Sequence, residues 1–126
     1  MKTVLITGSG KKGGLGYETA KQLGEKGWHV ILAARRQAQL DPLVEELKNS
    51  GISASSVVMD VTDDESVKAA ATQVMQEFGS LDVLINNAAV MTAGATIQAQ
   101  DMDQLRATFD TNVIGTWNTI QKFFPL

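Results

Sequence analysis

The chain has 126 residues, 44% of them hydrophobic and 20% charged, with a net charge of −3 and no cysteine. That length and composition suit one globular domain, and the slight acidity leaves no basic footprint for nucleic acid or an anionic membrane. Without thiols, disulfide and thiolate chemistry are excluded. No apolar stretch reaches membrane-spanning length, and the opening "MKTVLITG" is too short for a signal-peptide core. A cytoplasmic location is expected, with neither nucleic acid nor membrane as partner.

Strand and helix signals alternate along the chain. "TVLIT" (3–7) is a continuous apolar, β-branched run, as in a strand buried on both faces. "YETAKQLGEK" (17–26) reads as a helix stopped by Gly27. "HVILAA" (29–34) is a second buried strand. Leu40, Leu43, Val44 and Leu47 then share one face of a helix ending near Gly51. "SVVMDV" (56–61) predicts a third strand, and Thr62 with Glu65 a capping box for a helix with Val67, Ala71, Val74 and Phe78 inward. "LDVLINNA" (81–88) predicts a fourth strand.

A loop rich in Ala, Thr and Gly follows (89–100). Asp101 caps a long helix with Leu105, Phe109, Val113, Trp117, Ile120 and Phe124 on one stripe, and Met91, Met102 and Trp117 read as packing residues. The alternation predicts an α/β fold, a parallel sheet with right-handed crossovers. In such sheets ligands sit at the carboxyl ends of the strands, where strand order reverses.

The stretch "ITGSGKKGGLG" (6–16) can be read two ways. Gly8, Gly10 and Gly13 spell G-x-G-x-x-G. That reading puts Lys11, Lys12, Gly13 and Gly14 into the first turn of the helix. Each internal glycine costs about 1 kcal/mol relative to Ala, and the lysines would face the positive end of the dipole. Both penalties vanish if the helix begins near Gly14. Gly8 then makes the turn out of the strand, Gly14 allows close approach of a pyrophosphate, and Gly16 packs on the sheet. Gly10 and Gly13 supply slack. A P-loop is excluded, because no Gly-Lys is followed by Ser or Thr.

These residues resemble the short-chain dehydrogenase/reductase family in its classical branch. Thr7, Gly8, Gly14 and Gly16 match the family's T-G-x-x-x-G-x-G in a loop two residues longer, "NNAA" (86–89) is similar to its N-N-A-G, and "FDTNVIG" (109–115) resembles the segment bearing a catalytic-group Asn. The resemblance runs through essentially the whole chain. It implies a Rossmann-type doubly wound parallel sheet, here four strands with flanking helices and incomplete relative to the family. It implies cofactor contacts from Gly8, Ser9, Gly14, Leu15 and Gly16. It also implies an adenine contact at Asp60 and Val61, further contacts at Asn87 and Ala88, and a place beside the active site for Asn112.

Ala34 stands where NAD-binding members of the family carry an acid, and Arg35 follows it. An acid there binds a ribose 2′-hydroxyl and repels a 2′-phosphate, whereas arginine offers a phosphate paired charged hydrogen bonds. Lys12, or Lys11, is expected to reach the same phosphate. NADP(H) is therefore the expected cofactor in preference to NAD. No cluster has metal-ligand spacing. His29 reads as a surface or half-buried residue.

Carbonyl reduction needs a proton donor, which the family supplies as Tyr, with Lys four residues later and an earlier Ser. The one Y-x-x-x-K here, Tyr17 and Lys21, lies on the first helix and is not expected to be catalytic. Three readings follow. The chain is the cofactor half of an NADP-dependent oxidoreductase acting on a carbonyl or alcohol, a noncatalytic NADP-binding module, or an interaction platform. An exposed fourth strand and an amphipathic last helix predict a homo-oligomer or a complementing chain.

Overall fold

The computed structural model describes residues 1–91 and 95–126. Residues 92–94 of the expected loop lie outside them. Four parallel strands, β1 (Thr3–Thr7), β2 (His29–Ala34), β3 (Ala54–Val58) and β4 (Val83–Ile85), form one sheet in the order β3-β2-β1-β4. The helices between them are α1 (Leu15–Glu25), α2 (Gln37–Asn49) and α3 (Asp64–Phe78). The chain builds outward from β1 to β3, then crosses back to place β4 on the other side of β1. The strand order therefore reverses between β1 and β4.

Side-chain alternation divides the core into two layers. Val4, Ile6, Val30 and Leu32 face α1 and α2, against Tyr17, Ala20, Leu40, Leu43 and Leu47. Leu5, Ile31, Ala33 and Val57 face the opposite way, against Val67, Ala70, Val74 and Phe123. Strands packed on both sides need continuous apolar runs, and β1 and β2 have them.

Several boundaries differ from those expected. The third strand ends at Val58, not at residue 61, because its partner β2 ends at Ala34, opposite Val58. The fourth is shorter than 81–88. Asp82 spends its carboxylate on the Thr3 N–H at 2.7 Å, and beyond Ile85 the chain turns. The cap of α3 is Asp63, not Thr62. Its side chain accepts from the N–H of Glu65 and Ser66 at 3.1 and 3.4 Å. The Thr62 hydroxyl donates instead to Asp60 at 2.7 Å.

The long last helix is three pieces: α4 (Met102–Phe109), a π-helical turn (Asp110–Gly115) and α5 (Thr116–Phe123). Asp101 caps α4 as expected, accepting from Asp103 N–H at 2.8 Å. The expected packing stripe is largely exposed, with Phe109, Val113, Trp117, Ile120 and Phe124 all open to solvent. Met91 and Met102 are exposed as well. Thr119 and Phe123 are the residues of α5 that turn inward.

Candidate functional site

The carboxyl ends of all four strands open into one cavity of about 410 Å³. Four segments supply most of it: Gly8, Gly10 and Lys11 after β1, Ala34 and Arg35 at the end of β2, Met59–Thr62 after β3, and Asn87–Val90 after β4. It lies where strand order reverses, the place open α/β sheets use for ligands.

Close backbone approach shapes the floor. Gly8 has φ +64°, and a Cβ there would stand 2.7 Å from Ala88 Cα. Gly16 lies against the same turn, where a Cβ would come within 2.6 Å of Asn87 Nδ2 and 3.2 Å of the Gly8 carbonyl oxygen. These contacts let the N-terminus of α1 abut the sheet edge. Gly14 is the N-cap of α1 and Leu15 its first residue, and no side chain caps that end. The first N–H groups of a helix lack intrahelical partners and attract anions.

Thr7 ties β1 to the segment after β4. Its buried Oγ1 accepts from the N–H groups of Asn87 and Ala88 at 3.0 and 2.9 Å. Asn87 Nδ2 donates to the carbonyls of Thr7 and Gly8 at 3.0 and 3.2 Å. Asn87 thus lines the cavity while its amide NH₂ fixes the turn beneath it. Asp60 lines the third side, its Oδ1 accepting from both Thr62 N–H and Thr62 Oγ1. The Asp60 N–H donates to Ser66 Oγ at 2.9 Å. Val61 packs alongside, backed by Gly115, where a Cβ would meet Val61 Cγ2 at 2.8 Å.

Of the expected site residues, Gly8, Arg35, Asp60, Val61, Asn87 and Ala88 line this one cavity. Others are placed differently. The Ser9 hydroxyl is buried, donating to the Ile6 carbonyl at 2.7 Å and accepting from Ala33 N–H at 3.0 Å, so both of these bonds tie the loop to the scaffold. Lys12 turns away to Glu46 at 3.1 Å, and Lys11 lines the cavity in its place. Gly10 is not slack: a Cβ there would stand 2.5 Å from Ala34 Cβ. Asn112 lies behind the wall, its side chain holding Val90 by two hydrogen bonds of 2.8 Å, one from the Val90 N–H and one to its carbonyl.

Gln39 and Thr111 also line the cavity and were not expected. Gln39 is the third residue of α2, which a reading of that helix's start could have found. Thr111 depends on the π turn, for which the sequence carries no distinct signal. Tyr17 is buried beside Leu40 and Leu43. Burial first, then the charge of Glu46, raises its pKa above the ordinary 10.0. A phenol tuned that way is a poor proton donor near neutral pH. Among the described residues, no group of His, Asp and Glu could hold a metal ion, and no helix is long and apolar enough to cross a membrane.

A doubly wound parallel sheet with a glycine-floored cavity at its topological switch point defines a Rossmann-type fold. The short chain dehydrogenase family model matches residues 2–126. A short-chain dehydrogenase of Penicillium roqueforti is 41% identical over 98% of this chain and 48% of its own length. A 3-oxoacyl-acyl-carrier-protein reductase of Staphylococcus aureus is 34% identical over 98% of this chain and 50% of its own length. Among solved structures, a gluconate 5-dehydrogenase from Burkholderia cenocepacia in complex with NADP and tartrate superposes with a TM-score of 0.91 at 29% identity, covering 98% of this chain and 48% of that one. An actinorhodin polyketide ketoreductase with NADPH superposes with a TM-score of 0.89 at 27% identity, covering 98% and 46%. The chain belongs to the short-chain dehydrogenase/reductase family. It spans about half the length of the curated relatives it matches.

Proposed function

We propose that residues 1–126 form a single dinucleotide-binding domain, the cofactor half of an NADP(H)-dependent oxidoreductase acting on a carbonyl or alcohol. The observation that carries this reading is the pairing of Lys11 and Arg35 on one cavity with no acid at position 34. The cavity fits a dinucleotide on three further counts. Gly8 and Gly16 seat the glycine loop against Ala88 and Asn87, where a Cβ would clash, and so bring the start of α1 to the cavity's edge. The start of α1 is uncapped by any side chain. Asp60 keeps one carboxylate oxygen, Oδ2, free of the Thr62 contacts.

In this reading Gly14, Leu15 and Gly16 present the helix N-terminus to the pyrophosphate. Asp60 and Val61 hold the adenine, Asn87 and Ala88 border the nicotinamide ribose, and Lys11 with Arg35 bind the 2′-phosphate. Bound there, the cofactor supplies or accepts a hydride. Asn112 acts at one remove, fixing Val90 on the cavity wall. Tyr17 is not assigned as the proton donor; by family resemblance that role belongs to a Tyr with a Lys four residues on. Structural relatives bound to NADP and NADPH support the cofactor choice.

Paired fluorescence titrations with NADPH and NADH test the reading. NADPH should bind more tightly. Arg35→Ala should weaken NADPH about tenfold, the scale of one charged hydrogen-bonded contact, and leave NADH within twofold or so. Equal affinities in the unmodified protein would refute the proposed preference.

A further inference from the structure

The glycine loop carries two adjacent lysines, and the fold sends them to different places. Lys11 lines the cavity. Lys12 pairs with Glu46 of α2 at 3.1 Å, and Glu46 is not on the cavity wall. On the other side of Lys11, Gly10 is seated directly on Ala34 at the end of β2. The Lys11 carbonyl accepts the Gly14 N–H at 3.0 Å and closes the loop. Lys11 therefore sits between two anchors, one steric and one ionic. Because Gly10 touches Ala34, their following residues, Lys11 and Arg35, arrive on the same wall.

We infer that Glu46, acting through Lys12, is a positioning residue that holds the lengthened glycine loop so that Lys11, and not Lys12, is the lysine presented to the anion beside Arg35. The identity of that anion as a 2′-phosphate rests on the NADP reading above; the tether does not. An exposed ion pair adds little to global stability, and the side chains of Lys12 and Glu46 are 71% and 44% exposed. Its effect is local. A loop with glycine at 13 and 14 has many open conformations, and holding it beforehand lowers the ordering cost of binding. Glu46 also offsets the charge of Lys12, and Lys11 and Arg35 are the cations on the cavity wall.

The test compares the full chain with Lys11→Met, Lys12→Glu and the charge-swapped Lys12→Glu/Glu46→Lys protein. The first readout is amide hydrogen exchange at Gly14 without nucleotide; the second is the ratio of NADPH to NADH affinity. Breaking the tether with Lys12→Glu should speed exchange several-fold and cut the NADPH preference about threefold, the scale of a weak exposed ion pair. The swapped pair should restore both to within about twofold, although residue 12 is then negative. Lys11→Met should cut the preference about tenfold and leave Gly14 exchange unchanged. If the swap restores neither readout, or exchange is the same in all four proteins, the tether is wrong. If exchange follows the expected pattern but the unmodified chain does not prefer NADPH, the tether stands and the NADP reading falls.

Discussion

The hydroxyl of Thr7 is fully buried and accepts from two successive backbone N–H groups, those of Asn87 and Ala88. Together with the Asn87 amide it fixes the turn after β4 to the end of β1, and the cavity floor depends on that turn. Thr7→Val keeps the shape and removes the acceptor. The Asn87 N–H also reaches the Ile85 carbonyl at 3.1 Å, so the Ala88 N–H is the donor left unsatisfied, at a cost of about 1–3 kcal/mol, and the variant should show a lower Tm. An unchanged Tm would mean that water or another oxygen serves that donor. Thr7 was legible as a motif position but not as a hub, because spacing does not say which hydroxyl points inward. Ser9 and Lys12 differ from expectation for the same reason. Each stands in the loop next to a residue that lines the cavity, and only the backbone path decides that Gly10 and Lys11 face it while Ser9 is buried and Lys12 meets α2.

At the scale of elements, β2 and β3 are joined near their start by a side-chain bridge as well as by the ladder. His29 on β2 holds Ser53 Oγ through Nδ1 at 2.6 Å and Ser55 Oγ through Nε2 at 2.9 Å, with Phe78 of α3 against its ring. Burial lowers its pKa below the ordinary 6.5, with Lys48 acting in the same direction and Glu77 against it. A depressed folded-state pKa means that the unfolded chain binds the proton more readily. The contribution of His29 is therefore complete above about pH 6.5 and is lost as the pH falls below it. Chemical denaturation at a series of pH values should show that loss, and His29→Gln should flatten it. A variant with the same slope would place the pH dependence elsewhere.

The strands β1 and β2 were legible because a strand buried on both faces must be a continuous apolar run. The end of β3 was not. "MDV" continues the apolar pattern, but no partner remains beyond Ala34. The break at Asp110–Gly115 was hidden as well, since a single widened turn barely disturbs the 3.6-residue period. That turn has a visible purpose. It sets Asn112 behind Val90 and Gly115 behind Val61, two residues of the cavity wall.

At the scale of the whole molecule, the two faces of the sheet are unequally served. α1 and α2 close one layer, whereas the α4–α5 side leaves Trp117 67% and Phe124 86% exposed and β4 at the sheet edge. Large exposed apolar groups and a free strand edge favour association. Sedimentation equilibrium should therefore give a mass above that of one chain, and Trp117→Lys with Phe124→Lys should lower it. A monomer at all concentrations would contradict this expectation. The topology itself was legible in the alternation of elements, and the position of the cavity followed from the strand order. Which side chains fill its walls did not follow, because that depends on where each strand stops.

The proposed function stands on the cavity between Gly8, Asp60 and Asn87 being a dinucleotide site. Amide chemical shifts followed during an NADPH titration test it most directly. Saturable shifts are expected at Gly8, Gly14–Gly16, Asp60–Val61 and Asn87–Ala88, with Lys11 and Arg35 shifting more for NADPH than for NADH. No saturable shift at millimolar nucleotide, or shifts confined to residues away from this cavity, would contradict it.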